Sequence, residues 1–168
     1  MFILLLIFVG IYLRKKEKWI SRIAYLFSLL VFINMTNTNL IEIKDGESAL
    51  IRDKQAKGLN WEPWSELKLD EYKTNHQVVF VDFTAKWCFT CKVNERLVLD
   101  TDEFKNFVTN NNLKLLIGDW TKRDEVIGNY LMKHKMVGVP AYFIQKADGT
   151  LIGLGETITI DKIRQHLN

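Results

Sequence analysis

The only two cysteines of this chain, Cys88 and Cys91, are separated by two residues in the string WCFTCK at residues 87–92. They follow the apolar run VVFVDF at residues 78–83, so the pair lies where a buried strand would lead into a helix. Two sulfurs at this spacing can close into a disulfide and reopen, which moves an electron pair between thiols and disulfides. The sequence therefore predicts a redox-active dithiol.

The strand-to-helix junction also assigns a role to each sulfur. Cys88 would face the unpaired backbone N–H groups and the positive end of the helix, which stabilise a thiolate. Cys91 is three residues further on, hence on the same helix face and behind Cys88. We predict that Cys88 is the nucleophile that forms a mixed disulfide with a partner, and that Cys91 is the resolving thiol.

Two carboxylates are placed to handle protons at this dithiol. Asp82 interrupts the apolar run, an expensive position for an acid, and Glu95 lies four residues after Cys91 on the same helical stripe. A buried carboxylate can take the proton that Cys91 releases when it attacks. Both acids would also raise the thiol pKa, whereas the helix terminus would lower it, so the net thiol pKa stays open.

A proline supplies the third element of the predicted site. Pro140 precedes a predicted strand at 141–144, and a proline at that entry favours a cis bond that shapes a loop. Such a loop beside the cysteines could offer the backbone groups of Val139 to a bound peptide. Trp87, next to Cys88, is expected to support the active-site loop.

Two non-catalytic interpretations of the cysteine pair compete with this one. Zinc needs four ligands, but the chain has no second cysteine pair, and its three histidines are scattered without ligand spacing. Copper binding by the two thiols is a weaker variant. A purely structural disulfide is the other alternative, and the Trp87 and Lys92 flanks together with Asp82 argue against it.

The predicted elements around the dithiol form an α/β fold with a mixed sheet between helices. Pro63 suits the first turn of a helix. The predicted elements are a helix at 64–72, a strand at 78–83, helices at 88–99 and from 101 or 102 to 108, a strand at 113–117, a helix at 123–134, strands at 141–144 and 151–154, and a helix at 159–167.

The amino-terminal region has a different composition. Residues 1–35 are predicted to form a transmembrane hairpin of two short apolar runs around the basic loop at 14–18, which the positive-inside rule places in the cytoplasm. A signal peptide is the competing interpretation, but there the basic segment precedes the apolar run. Residues 36–60 are predicted as a linker and 61–168 as an extracytoplasmic domain. A span that opens at residue 1 suggests a chain cut from a longer one.

Charge argues against a nucleic-acid partner. The whole chain carries +3, with 23 basic and 20 acidic residues. Residues 1–39 hold five of the basic and one of the acidic residues, so 40–168 carry 18 basic and 19 acidic residues, or −1. The basic excess therefore belongs to the predicted membrane segment, and the predicted domain has no excess that would attract a polyanion.

The strings VFVDFTAKWCFTCK at 79–92 and VGVP at 137–140 resemble the thioredoxin superfamily. More narrowly, CFTCKVNE at 88–95, GDWTKRD at 118–124 and GVPAYF at 138–143 resemble the C-terminal domain of the thiol:disulfide interchange protein DsbD family. The resemblance implies a thioredoxin-like fold, a buried acid at Asp82, a second active-site acid at Glu95 and a cis proline at Pro140. It also equates the hairpin with the last two helices of that family's membrane domain.

By this resemblance the protein is a reductase of the bacterial inner membrane, with its thioredoxin-like domain in the periplasm. A cysteine-bearing membrane domain would supply electrons, which would pass to extracytoplasmic thiol-disulfide proteins for disulfide isomerisation and cytochrome c maturation. No organic cofactor or metal is implied. The family's other cysteine pairs have no counterpart here. A dedicated apocytochrome c reductase and a non-catalytic remnant therefore remain alternatives.

Overall fold

The computed structural model of the protein describes residues 22–34, 51, 53–55 and 57–167. The chain divides into two compact units, Met1–Gly46 and Glu47–Asn168. In the first unit, residues 22–34 form a helix on which most apolar side chains are exposed. No helix within the described residues is long and apolar enough to cross a membrane. The rest of the predicted hairpin lies outside the described residues.

The second unit contains the dithiol, and its elements are numbered here from residue 61. Within its described residues the strands are β1 (Trp61–Pro63), β2 (Val79–Thr84), β3 (Lys114–Asp119), β4 (Ala141–Gln145) and β5 (Leu151–Gly155). The helices are α1 (Glu66–Thr74), α2 (Phe89–Asn94), a π-helix (Glu95–Leu99), α3 (Asp102–Asn110), α4 (Glu125–Lys133) and α5 (Ile160–Gln165).

The strands form one mixed sheet in the order β1-β3-β2-β4-β5. Strand β3 is parallel to both β1 and β2, whereas β4 is antiparallel to β2 and β5. Every residue of the central strand β2 is buried, as expected for a strand covered on both faces. The predicted mixed sheet is therefore confirmed. The carboxyl end of β2 leads into the segment that carries the dithiol.

Strand β1 is an element that the sequence analysis missed. It pairs in parallel with β3, from Trp61 opposite Leu115 to Pro63 opposite Ile117. The prediction that Pro63 lies in the first turn of a helix is wrong. Because β1 is an edge strand, a proline without an N–H group is tolerated there. The helix begins after Ser65, whose side chain accepts a hydrogen bond from the backbone N–H of Lys68 and so caps α1.

Side-chain alternation along β2 separates two cores and decides where Asp82 points. Phe80 belongs to the core that includes Trp61, Phe104 and Tyr142. The odd-numbered residues of β2 up to Phe83 pack in the other core, with Trp64 and Tyr130. Since alternate residues of a strand face the same side, Asp82 points to the side of Phe80.

A short segment before β1 packs on the same side, and we call residues 51, 53–55 and 57–60 the arm. Residues 51 and 53–55 are helical, and Ile51 and Leu59 are buried in the core of Trp61 and Phe80. The compact unit thus takes in residues that the sequence analysis assigned to a linker at 36–60. Burial of two apolar side chains stabilises this docking, because each removes apolar surface from water.

Candidate redox site

The two sulfurs are joined in a disulfide at the start of α2. Cys88 has an extended backbone and is the N-cap of α2, and its Sγ accepts a hydrogen bond from the backbone N–H of Cys91 at 3.1 Å. Cys88 is 5% exposed, whereas Cys91 is fully buried. Cys88 is thus the more exposed of the two cysteines, as a role as nucleophile requires. That order of attack stays a prediction.

The loop before β4 lies against the disulfide. The Val139–Pro140 peptide bond is cis, as the sequence analysis predicted. Val139 packs against a small buried cluster formed by Ala85, Cys88 and Cys91. The loop therefore lies beside the cysteines.

Trp87, next to Cys88 in the chain, is held by the loop at 119–124. The indole N–H of Trp87 donates to the carbonyl oxygen of Thr121 at 3.0 Å. Its ring lies 6.3 Å from the ring of Trp120, and the guanidinium of Arg123 lies over it at 5.0 Å. Trp87 remains 49% exposed, and its neighbour Phe89 is 82% exposed. The site thus presents aromatic surface beside Cys88.

Asp82 and Glu95 belong to one cluster of alternating charges. The ammonium of Lys54, in the arm, lies 3.1 Å from Oδ2 of Asp82 and 3.6 Å from Oε1 of Glu95. Lys92 lies 2.9 Å from Oε2 of Glu95. Asp82 is fully buried, and both Lys54 and Glu95 are buried as well. The two acids that the sequence analysis singled out are therefore brought together by a lysine that it did not consider.

Burial is the largest influence on the pKa of Asp82. It raises the pKa of this carboxyl, and the negative charge of Glu95 acts in the same direction. Lys54 and, more weakly, Lys92 oppose the rise in pKa. Among the described residues, the Oδ1 atom of Asp82 has no hydrogen-bond partner. Asp82 consequently holds a proton more readily than an ordinary aspartate, which suits a group that takes a proton and returns it.

Glu95 is positioned by a change of helix type. The predicted helix at 88–99 is an α-helix only as far as Asn94, and a π-helix runs from Glu95 to Leu99. The backbone N–H of Glu95 donates to the carbonyl oxygen of Cys91, so Glu95 lies one turn after the resolving thiol. Single π turns inside α-helices occur frequently at functional sites.

A family model described as thioredoxin-like matches residues 60–147, which is more than half of the chain. The chain belongs to the thioredoxin-like family. Its fold agrees with this assignment, because a mixed five-stranded sheet carries the cysteine pair at the end of its central strand. No curated protein sequence matches the chain.

Several solved structures resemble this thioredoxin-like chain at low sequence identity. The oxidised C-terminal domain of DsbD from Neisseria meningitidis is 23% identical, with 60% of this chain and 87% of that chain covered and a TM-score of 0.49. DsbH oxidoreductase is 21% identical, with 64% and 83% covered and a TM-score of 0.51. A thioredoxin from Thermus thermophilus is 17% identical, with 62% and 84% covered and a TM-score of 0.46. At such low identity, the likeness to DsbH oxidoreductase indicates a shared fold alone.

Sequence reasoning missed two further residues of this thioredoxin-like site. Tyr142 lies opposite Asp82 in the pairing of β2 with β4, and its hydroxyl accepts a hydrogen bond from Asn94 at 3.2 Å. Burial, followed by the negative charges of Asp82 and Glu95, raises the pKa of Tyr142. Strand alternation could have placed Tyr142 beside Asp82, whereas no local signal marks Lys54.

No metal-binding arrangement is found in the described part of the thioredoxin-like chain. Within those residues, no group of three or more His, Cys, Asp or Glu side chains could hold a metal ion. His134 packs against Tyr130 with the two rings tilted and their centroids 4.5 Å apart. Desolvation on burial, followed by the positive charge of Lys133, lowers the pKa of His134. The expectation that the protein needs no metal or organic cofactor stays a prediction.

Replacing Glu95 with glutamine should lower the pKa of the Cys88 thiol. The change removes a negative charge one turn from Cys91 and leaves the charges of Lys54 and Lys92 less compensated, which favours a nearby thiolate. We expect a shift of roughly one pH unit or less, seen in thiolate absorbance against pH for the reduced protein. Glu103→Gln, an exposed position on α3, is the matched control. An identical titration of Glu95→Gln and wild type would show that the idea is wrong.

Proposed function

We propose that this protein is a membrane-anchored thiol-disulfide oxidoreductase of the DsbD type, which reduces disulfides of extracytoplasmic partner proteins. The observation that carries the proposal is the disulfide between Cys88 and Cys91 at the start of α2, beside the cis proline loop and the buried acid pair. A structural disulfide would not need a buried glutamate one helical turn after its second cysteine, paired through a buried lysine with a buried aspartate. The thioredoxin-like family supports the same chemistry.

The reaction begins with the reduced dithiol. The thiolate of Cys88 attacks one sulfur of the partner's disulfide, and a bond forms between Cys88 and that sulfur while the partner's other sulfur leaves as a thiolate and takes a proton. Cys91 then loses its proton and attacks the sulfur of Cys88. The mixed disulfide breaks, and the second partner sulfur leaves as a thiolate and is protonated. Two electrons have passed from the dithiol to the partner.

The acid pair handles the proton of Cys91. A fully buried thiol cannot release a proton directly to bulk water, so an acceptor inside the protein is needed. Glu95 lies one turn after Cys91, and Lys54 connects Glu95 with Asp82. We propose that this pair accepts the proton when Cys91 attacks and returns it when an upstream donor reduces the disulfide again.

The partner would bind over Cys88. Trp87 and Phe89 offer exposed aromatic surface there, and the loop that contains Val139 and Pro140 lies against the cysteines. An extended peptide that pairs with the backbone of residue 139 would bring its own sulfur to Cys88. The anchor at 1–35, the periplasmic location and the upstream cysteine-bearing membrane domain belong to the proposal as well.

Trapping with Cys91→Ser tests the proposed function and its direction together. Without the resolving thiol, the mixed disulfide with Cys88 should persist, and partner proteins should run with this protein on non-reducing gels of bacterial lysates. The double variant Cys88→Ser/Cys91→Ser is the control and should trap nothing.

The trapped proteins distinguish the variants of the proposal. A cysteine-bearing membrane protein together with several exported clients supports the DsbD type, whereas apocytochrome c alone points to a dedicated reductase. Absence of any adduct that depends on Cys88 would contradict a role in thiol-disulfide exchange and leave the remnant interpretation.

A further inference from the structure

We propose that Lys54 is a positioning residue of the dithiol site: its ammonium lies between Asp82 and Glu95 and keeps this acid pair able to accept the proton that Cys91 releases. The inference rests on the proposed function and adds a residue to its machinery. It concerns a side chain from outside the sheet and outside the helix that carries the cysteines.

The contacts of Lys54 leave little freedom to its ammonium. The nitrogen lies 3.1 Å from Oδ2 of Asp82 and 3.6 Å from Oε1 of Glu95. It also lies over the ring of Trp61, 4.6 Å from the centroid. The residue is 4% exposed, and lysine is almost never buried to this extent unless it is paired. The site thus holds a buried cation that the chemistry of the sulfurs alone does not explain.

The arm holds Lys54 in this orientation from both sides. Ile51 and Leu59 are buried in the core next to Trp61. Lys57, three residues after Lys54, points away and pairs with Asp100 at 3.0 Å, and its backbone N–H donates to the carbonyl oxygen of Lys54 at 3.2 Å. Lys57 therefore attaches the arm to the surface of the domain, whereas Lys54 contacts the acid pair.

A cation between two buried acids changes which of them can accept a proton. Two carboxylates that share a dry site without a cation repel each other, so that one of them stays protonated at neutral pH. A protonated carboxyl cannot accept the proton of Cys91. Lys54 offsets this repulsion, and its charge is the largest influence that opposes the effect of burial on the pKa of Asp82.

Other charged and titratable groups facing the pair do not replace Lys54. Lys92, on α2, reaches only Glu95 and is partly exposed to solvent. Tyr142, on β4, is neutral over the working pH range, because burial raises its pKa. The thiol of Cys91 carries no positive charge and is the group whose proton the pair is proposed to accept. Lys54 is the cation that contacts both acids among the described residues.

Replacing Lys54 with methionine tests the proposal in a reaction that needs no natural partner. The reduced protein reacts with a chromogenic aryl disulfide, which releases one coloured thiolate when Cys88 attacks and a second when Cys91 resolves the adduct. In Lys54→Met we expect the second phase to be about tenfold slower at neutral pH and to regain its rate at higher pH. The midpoint of the plot of this rate against pH should rise by about one pH unit. Lys54→Arg should restore most of the rate.

Two controls separate proton handling from mere support of the fold. Lys133→Met removes an exposed charge of α4, outside the arm, and should leave the pH profile unchanged. In an Asp82→Asn background, adding Lys54→Met should move the pH profile little further, because the repulsion between the two acids, which Lys54 offsets, is already gone. Should Lys54→Met fail to fold, Lys54→Gln removes the charge but keeps a side chain that can donate a hydrogen bond, and the same pH profile is measured.

A lower melting temperature of Lys54→Met together with an unchanged pH profile would overturn the proposal and leave Lys54 a structural role. Additive effects of the two substitutions would overturn it as well. Both outcomes differ from failure of the proposed function. In that case Cys91→Ser traps no protein partner, although the wild type still reacts with the aryl disulfide in two phases.

Discussion

Cys88→Ser should reduce the turnover of a protein disulfide to the uncatalysed background, a loss on the order of 10³-fold or more. The reason is chemical: a thiolate attacks a disulfide sulfur, whereas a serine hydroxyl at neutral pH does not. Cys91 cannot replace Cys88 in this attack, because the side chain of Cys91 is fully buried. Reduction of insulin with dithiothreitol as the electron donor measures the effect.

Cys91→Ser is the matched control for this experiment, since it removes the same atom at the buried position. It should retain a single attack by Cys88 on a disulfide but lose multiple turnovers. Equal rates of insulin reduction by wild type and Cys88→Ser would exclude every enzymatic interpretation of the cysteine pair. They would leave a structural disulfide or metal binding by the thiols as its function.

Asp82→Asn should slow the attack of Cys91 by about 10²-fold while changing the attack of Cys88 much less. An amide cannot accept the proton of the resolving thiol, although it keeps the size of the side chain. The two phases of thiolate release from a chromogenic aryl disulfide measure the two attacks separately. Asp70→Asn, at an exposed position of α1, is the control. Equal slowing of both phases would contradict a specific role in resolving the mixed disulfide.

The same variant should change how stability depends on pH. Burial raises the pKa of Asp82 in the folded protein, so the folded state binds a proton that the unfolded chain has already released. This contribution to stability is fully present below the ordinary aspartate pKa of 3.8, and it is lost as the pH rises through the higher folded value. Wild type should therefore lose stability with rising pH in a range where Asp82→Asn does not.

Denaturant unfolding of both proteins at a series of pH values measures this trend. The constant offset between the two curves carries no information, because asparagine also changes the contact with Lys54. The informative quantity is the free energy of unfolding of the variant minus that of wild type, which should grow as the pH rises. Parallel curves would show that Asp82 is not the group that carries the linkage.

Much of the site follows from features that are local in the chain. The spacing of Cys88 and Cys91 places both sulfurs in one helical turn, and the apolar run before them identifies the central strand. Because every residue of this strand is buried, Asp82 is buried as well, and alternation along the strand decides which face it points to. A proline directly before a strand favours a cis bond, and Pro140 has one. These inferences succeed because each depends on the geometry of a few consecutive residues.

Three features depend on contacts that no local pattern encodes. Strand β1 is only three residues long, so its pairing with β3 decides its conformation against the helical preference expected of Pro63. The π-helix at Glu95 departs from the α-helical spacing by a local widening. Lys54 reaches an aspartate 28 positions away in the chain, which became possible only when the arm docked on the core.

The dithiol chemistry is thus determined by the order of residues in the chain, because a two-residue spacing leaves the sulfurs within bonding distance in almost any helical turn. The protonation of the acid pair is decided by the folded structure, because it depends on burial and on a cation that approaches through space. Charge interactions in a buried site are strong and act over several ångströms. A distant lysine can therefore govern a reaction whose sulfurs were recognisable from six consecutive letters.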